Sequence, residues 1–131
     1  MKQEDKELLL KDLCARLPFG VKLQEFTTSS KKEPFKLLGI KGEFLARKDY
    51  RREKSNYIGE ISIEWCKPYL RSMASMTEKE RKHWRDISLS RSDWDFTTKC
   101  LDWLNAHHFD YHGLIEKGLA LEASEGMYKF E

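Results

Sequence analysis

The stretch that decides the fold is Tyr57-Ile-Gly-Glu-Ile-Ser-Ile-Glu-Trp65, near the middle of a chain of 131 residues. Apolar and polar residues alternate along it, so Ile61, Ile63 and Trp65 are expected on one face and the intervening polar residues on the other. Alternation over this length predicts a β-strand with one buried and one solvated face. Such strands are typical of antiparallel sheets.

Two segments before this strand have a similar character. Residues 21–26 nearly alternate, and residues 35–40 form a short apolar run. Lys41-Gly42 suits a tight turn between strands. We therefore predict a small antiparallel sheet of three or four strands over about residues 20–66. Lys67-Pro68 is expected to end the sheet, because proline has no amide hydrogen to donate to a neighbouring strand.

Helical patterns lie on both sides of the predicted sheet. Residues 4–17 carry leucines with the spacing of one helix face, acidic residues occupy the first turn, and Pro18 ends the helix. Thr77-Glu-Lys-Glu80 is a capping box, in which the threonine and glutamate side chains satisfy each other's free backbone amides. It predicts the start of a second helix, which is expected to end at about Asp86.

Residues 94–122 combine helix-spaced apolar residues with two glycines. This pattern predicts a hairpin of two short helices, the second closed by Gly118 in a left-handed conformation. Four apolar residues of the second helix are expected to pack against three of the first: Leu114, Ile115, Leu119 and Leu121 against Phe96, Cys100 and Leu104. A DNA-reading helix needs polar and basic residues at its start, so we interpret the hairpin as core rather than as a recognition site.

Strands in the middle of the chain and helices towards its ends predict an α+β fold. The fold is expected to consist of an N-terminal helix, a small antiparallel β-sheet (about residues 20–66) and a helical C-terminal half. The length of the chain and the lack of a long linker predict a single α+β domain, residues 1–131.

The composition of the chain indicates which classes of protein it can belong to. Charged residues make up 35% and aromatic residues 12% of the chain, which is typical of a folded domain rather than a disordered one. The net charge is +2 and the isoelectric point is about 8.4, below the value of about 9 expected for a dedicated nucleic-acid-binding domain. Three widely spaced cysteines, a polar N-terminus and the lack of a long apolar run predict a cytoplasmic protein with no membrane contact.

Three segments carry a resemblance to known proteins. They are Leu17-Pro-Phe-Gly-Val-Lys22, then Lys67-Pro-Tyr-Leu-Arg71 running into Ser75-Met-Thr77, and then His107-His-Phe-Asp-Tyr-His-Gly-Leu-Ile-Glu-Lys-Gly-Leu-Ala-Leu-Glu122. In this order they resemble a family of small uncharacterised proteins encoded in prophages and mobile elements of gut bacteria. The resemblance implies a bacterial or phage cytoplasmic setting. It implies no activity, so it assigns no functional residue.

The histidines His107, His108 and His112 are weak candidates for a metal site, because the last two have the spacing at which imidazoles share a helix face. A turn expected at residues 109–110 would separate them, so a structural role is favoured. The chain has no glycine-rich phosphate loop and no Gly-x-Ser-x-Gly motif, and Cys100 is expected to be buried. We therefore predict no enzyme, no catalytic residue and no cofactor. A metal- or thiol-dependent enzyme is the weakest alternative.

Residues 47–54, Arg-Lys-Asp-Tyr-Arg-Arg-Glu-Lys, form a basic run between two predicted strands. Cations in a loop can hold phosphates while an aromatic ring stacks on a base. The alternative hypothesis is therefore a nucleic-acid-binding accessory protein that uses this basic loop; a solvated hairpin loop would have the same pattern. The candidate residues for nucleic acid or another acidic partner are Arg47, Lys48, Tyr50, Arg51, Arg52 and Lys54.

Aromatic residues of the C-terminal half indicate a second kind of surface. Exposed tryptophan and tyrosine are typical of protein interfaces, and an aromatic tail docks either on its own domain or on a partner. The candidate interface residues are Trp84, Trp94, Tyr128 and Phe130. The leading hypothesis is a small cytoplasmic accessory protein of a phage or mobile element that acts as a non-enzymatic protein-binding module.

Overall fold

A computed structural model describes residues 1–27, 33–48, 58–89 and 96–128 and confirms the predicted α+β class. The helices are α1 (Gln3–Arg16), α2 (Glu78–Leu89) and α3 (Phe96–Ala106). The strands are β1 (Lys22–Glu25), β2 (Phe35–Lys36), β3 (Gly39–Lys41), β4 (Phe44–Lys48), β5 (Ile58–Ser62), β6 (Cys66–Leu70) and β7 (Leu121–Glu122).

These strands form two sheets instead of the single antiparallel sheet that was predicted. One sheet has four strands in the order β2-β1-β6-β7, and the other has three in the order β3-β4-β5. The β6–β7 pair is parallel and brings the C-terminal segment beside the middle of the chain. Leu23 and Phe35 of the four-stranded sheet pack with Leu45 and Ile61 of the three-stranded sheet in the main core.

The prediction that Lys67-Pro68 ends the sheet is wrong, because β6 continues through both residues. The Leu70 carbonyl accepts a hydrogen bond from the Ala123 amide. The backbone groups of alternate residues point to the same side of a strand, so those of Pro68 also point towards β7. On that side β7 begins to pair only at Tyr69. The ladder therefore needs no donor at Pro68, and proline is tolerated there.

The prediction that Trp65 shares a buried face with Ile61 and Ile63 is also wrong. The strand β5 ends at Ser62, whose hydroxyl accepts a hydrogen bond from the Glu64 amide at 3.4 Å and begins a single 3₁₀ turn over residues 63–65. The turn changes the phase of the pattern. Ile61 and Ile63 are buried, whereas Trp65 is 51% exposed.

The second helix of the predicted hairpin does not form. Residues 111–120 are turns, and the Asp110 carboxylate accepts hydrogen bonds from the amides of Leu114 and Ile115, at 2.9 and 3.0 Å. Aspartate side chains compete in this way with the backbone bonds of a helix. The chain enters the turns through His108, which has a left-handed conformation with φ of 61°.

The packing expected for the hairpin changes accordingly. Leu114 and Leu119 lie in the main core with Leu9 and Leu13 of α1. Leu104 belongs instead to a separate apolar cluster with Trp103 and Phe109. The expectation that Leu114 and Leu119 pack against Leu104 is therefore wrong, because the two leucines pack with α1 in the main core and Leu104 belongs to the other cluster.

The two local helix signals are confirmed. The α1 helix ends at Arg16, before Pro18, and the capping box at Thr77 and Glu80 forms with reciprocal bonds of 3.1 and 3.0 Å. The α2 helix continues to Leu89, beyond the expected end at Asp86. Glu80 also accepts two hydrogen bonds from Arg71, at 2.6 and 2.8 Å, and this contact lowers the pKa of its carboxyl to about 2.

The C-terminal tail is part of the fold through Tyr128. Its hydroxyl accepts a hydrogen bond from the Lys22 amide at 2.9 Å and donates one to the Tyr69 carbonyl at 2.7 Å. Lys22 and Tyr69 are the next pair beyond the last register pair of β1 and β6, so the phenol bridges the two strands where their ladder ends. The ring stacks on His108 with centroids 3.7 Å apart.

Replacing Tyr128 by phenylalanine is expected to lower the free energy of unfolding by about 1–3 kcal/mol, because two part-buried backbone groups lose their partner. Urea denaturation measures this loss. Hydrogen exchange at the Lys22 amide should accelerate in the same variant, because the phenol is its acceptor. An unchanged unfolding midpoint together with unchanged exchange at Lys22 would show that the bridge is unimportant.

Candidate functional site

The outer face of the four-stranded sheet carries the candidate site. Leu23 and Phe35 point into the main core, so their strand neighbours point to the opposite side of the sheet. On that side Gln24 and Tyr69 are buried, whereas Phe26 and Trp65 are exposed. Contacts confirm this placement for the centre of the face: the Tyr69 hydroxyl donates to Gln24 at 2.8 Å, and Lys67 lies 5.5 Å from the Phe26 ring centroid. We call the following residues the outer face: Lys22, Gln24, Phe26, Lys36, Trp65, Lys67 and Tyr69.

Two aromatic residues of the outer face are half-exposed. Phe26 is 45% and Trp65 is 51% exposed, and the Phe26 amide donates to the Trp65 carbonyl at 2.7 Å. Phe26 and Trp65 therefore lie opposite each other, one residue beyond the last register pair of β1 and β6. Large aromatic side chains at this exposure place apolar surface in water, and such residues are enriched at binding interfaces.

The charged side chains of the outer face are all lysines: Lys22, Lys36 and Lys67. Within the described residues none of them forms an ion pair, whereas the cations Lys6, Arg47 and Arg71 are paired with Glu64, Glu25 and Glu80. Lys22 also lies directly opposite Lys36 in the β1–β2 register. Like charges in this position destabilise a sheet. Among the described residues, the three lysines of the outer face therefore have no carboxylate to neutralise their charge.

A cavity of about 370 Å³ opens at the Lys22 end of the outer face. Its walls come from the turn after α1, the first residue of β1, the end of α3 and the tail. The lining residues are Phe19, Gly20, Lys22, Ala106, His108, Met127 and Tyr128. None of them is acidic.

The described part of the predicted basic loop is only partly available to a ligand. Arg47 donates to the Glu25 carboxylate at 2.7 Å and lies 5.2 Å from the Phe35 ring centroid, so it holds the two sheets together. Lys48 is exposed at the end of β4. The other four candidates of this loop, Tyr50, Arg51, Arg52 and Lys54, lie outside the described residues, and their role stays a prediction.

Of the four predicted protein-interface residues, two lie within the described residues and two do not. Trp84 is half-buried on α2 and packs on Trp103 with ring centroids 5.5 Å apart. Tyr128 docks on its own domain, as described above. Trp94 and Phe130 lie outside the described residues. Sequence reasoning missed Phe26 and Trp65, and the signal for Trp65 was the serine at residue 62, which can begin a turn.

The three histidines are held apart by separate contacts. The Nδ1 atom of His107 lies 2.8 Å from the Trp103 carbonyl, and that of His112 lies 2.8 Å from the Asp12 carboxylate. Burial, and to a smaller extent the nearby charge of Arg16, lowers the pKa of His108 to about 4. In the part of the chain that the structure describes, no group of histidine, cysteine and acidic side chains is arranged to hold a metal ion.

Cys14, Cys66 and Cys100 are all free thiols, and only Cys14 is exposed. Burial raises the pKa of the Cys66 thiol to about 12, so this thiol stays protonated at neutral pH. A protonated, buried thiol is a poor nucleophile.

Among the described helices, none has the length and apolar character needed to cross a membrane. Comparison with known proteins finds no matching family model, no matching curated protein and no matching solved structure.

Proposed function

We propose that the protein is a non-enzymatic binding protein whose outer face binds single-stranded nucleic acid. One observation carries this proposal: two half-exposed aromatic rings, Phe26 and Trp65, share a sheet face with three lysines that have no acidic partner in the described residues. Aromatic rings on a sheet can stack on unpaired bases, and lysines beside them can neutralise the phosphates.

The chemistry of the face favours a single strand over a duplex. Stacking needs bases whose flat faces are accessible, and these faces are covered in a double helix. In its described residues, the four-stranded sheet presents neither a helix nor a long basic ribbon that would enter a major groove. Stacking also tolerates any base, so we expect affinity for single strands with little sequence preference.

This proposal moves the nucleic-acid surface away from the loop of residues 47–54. Arg47, at the start of that loop, is held by the buried Glu25 carboxylate and is therefore unavailable for phosphate. Within the described residues, the lysines of the outer face have no carboxylate partner.

Titration of a fluorescent single-stranded oligothymidylate at several salt concentrations tests the proposal. Three phosphate contacts predict a slope of about −2 in a plot of log binding constant against log salt, since each contact on a single strand contributes about −0.7. Lys67→Gln should make the slope shallower by about 0.7. Lys41→Gln is the matched control, because Lys41 lies opposite the exposed Phe44 on the three-stranded sheet. No binding at low salt would overturn the proposal.

A protein partner is the second candidate function, and it was the leading hypothesis from the sequence. The observation that favours it is exposed apolar surface on the helices: Leu89 of α2 is 70% exposed and Leu101 of α3 is 40% exposed. Such residues are typical of interfaces. The free thiols fit the reducing cytoplasm of a bacterium, as the resemblance implies. A pull-down from a bacterial lysate whose partner is lost on Leu89→Glu would favour this candidate.

A further inference from the structure

The cavity at the Lys22 end of the outer face is suited to an anion. Its volume of about 370 Å³ lies in the range of small-molecule sites, which begins at about 300 Å³. Among the described residues, its lining includes the ammonium-bearing Lys22 and no carboxylate. The Lys22 ammonium donates to the Met127 carbonyl at 3.2 Å, which holds it at the tail side of the cavity.

A second ammonium stands beside the same cavity. Lys36 is opposite Lys22 in the register of β1 and β2. Its side chain crosses Gly20, one of the lining residues: a β-carbon at Gly20 would lie 3.3 Å from Cε and 3.8 Å from Nζ of Lys36. Gly20 has φ of 71°, so glycine serves both the turn and the close approach of the lysine. The cavity thus has one lysine, Lys22, in its lining and a second, Lys36, beside its lining residue Gly20.

Behind His108 lies Arg16, whose charge is paired with the Asp12 carboxylate. Arg16 is fully buried, and its charge lowers the pKa of His108, although burial is the larger cause. One guanidinium nitrogen of Arg16, Nη1, has no hydrogen-bond partner within the described residues. His108 itself is neutral at physiological pH, because its pKa is lowered to about 4. The lysines, rather than the imidazole, therefore provide the charge that an anion would meet.

We propose that this cavity binds the 5′-phosphate of a nucleotide, with the phosphate between the ammonium groups of Lys22 and Lys36. A phosphomonoester carries nearly two negative charges at neutral pH and matches two ammonium groups. The rings of Phe19 and Tyr128 and the thioether of Met127 line the rest of the cavity and provide apolar contacts for the base. The proposal deepens the proposed function and rests on it for one point only, that the nucleotide is the end of a single strand.

Isothermal titration with thymidine 5′-monophosphate, thymidine and inorganic phosphate tests the cavity directly. The monophosphate is expected to bind at least about tenfold more tightly than thymidine, because a charge-assisted hydrogen bond is lost without the phosphate. Lys36→Gln and Lys22→Gln are each expected to weaken the binding of the monophosphate about tenfold. Lys41→Gln, on the other sheet, should leave it unchanged. Lys36 is exposed, so its variant keeps the fold even if the Lys22 variant does not.

Equal binding of thymidine and its monophosphate would overturn the proposal, as would equal effects of Lys36→Gln and Lys41→Gln. Tighter binding of inorganic phosphate than of the monophosphate would overturn the assignment of the base to the cavity. Oligothymidylates with a 5′-phosphate and a 5′-hydroxyl separate this proposal from the proposed function. If both bind equally, the outer face is retained and the cavity proposal fails. If the monophosphate binds but neither oligonucleotide does, the cavity holds a free nucleotide and the proposed function fails.

Discussion

Replacing Asp12 by alanine is expected to lower the free energy of unfolding by about 3–5 kcal/mol, because it leaves a buried arginine without its counter-charge. Asp12 and Arg16 are both completely buried. The Arg16 guanidinium donates to the Asp12 carboxylate at 2.5 and 3.2 Å, and to the Phe109 carbonyl at 2.6 Å. The second carboxylate oxygen of Asp12 also lies 2.8 Å from the His112 ring.

The expected loss of stability is large because the buried pair of Asp12 and Arg16 connects two distant segments of the chain. The buried cluster ties α1 to residues 109–112, and the bond from Arg16 to Phe109 spans 93 positions of sequence. Without Asp12 the guanidinium must stay charged in the core or move into water, and either change disturbs both segments. The loss should therefore exceed that of a single hydrogen bond.

Urea denaturation of the Asp12→Ala protein measures the effect. Glu7→Ala is the matched control, because Glu7 is an exposed acidic residue on the same helix, and it should change stability by less than about 0.5 kcal/mol. Asp12→Asn should fall between the two, since it keeps hydrogen-bonding atoms but loses the charge. A loss below about 1 kcal/mol for Asp12→Ala would mean that the charge pair does not stabilise the fold.

Replacing both Phe26 and Trp65 by alanine is expected to abolish measurable binding of a single-stranded oligonucleotide. Each stacked base contributes about 1–3 kcal/mol, so each replacement should weaken binding by roughly 5- to 150-fold. Half of each ring is already in water, so the fold should lose little stability. Fluorescence anisotropy with a labelled oligothymidylate measures the dissociation constants of the single and double variants.

Phe44→Ala is the control for this experiment, because Phe44 is 49% exposed but lies on the three-stranded sheet. It should bind as the unchanged protein does. Trp65→Phe should restore much of the affinity, since a smaller ring still stacks. If the double variant and Phe44→Ala bind equally well, the aromatic rings of the outer face do not contact the bases.

The sequence predicted the parts of the fold that local chemistry controls. The first α-helix ends just before Pro18, which has no amide hydrogen to continue the helical bonds, although Leu17 keeps a helical conformation. The Thr77–Glu80 capping box forms because its partners are three residues apart. The alternation in residues 57–65 correctly indicated a strand, but only as far as Ser62. There a 3₁₀ turn begins, and Trp65 is exposed at its end.

The candidate site was largely beyond prediction from sequence. The basic run of residues 47–54 was a candidate site because its charged residues are close together in sequence. Arg47, however, is paired with Glu25, a residue of the other sheet. The lysines of the outer face are far apart in sequence, so no local sequence pattern identifies them as a group. Only the strand register places Lys22 opposite Lys36.

The sequence by itself determined the α+β class, the position of α1 and the start of α2, because these depend on residues within a few positions of one another. The tertiary structure alone decided that the strands divide into two sheets, that Tyr128 bridges β1 and β6, and that Phe26, Trp65 and three lysines share a face. The physical reason is that these features depend on contacts between distant segments. Such contacts form only when the core selects one register, and many registers are compatible with the same local pattern.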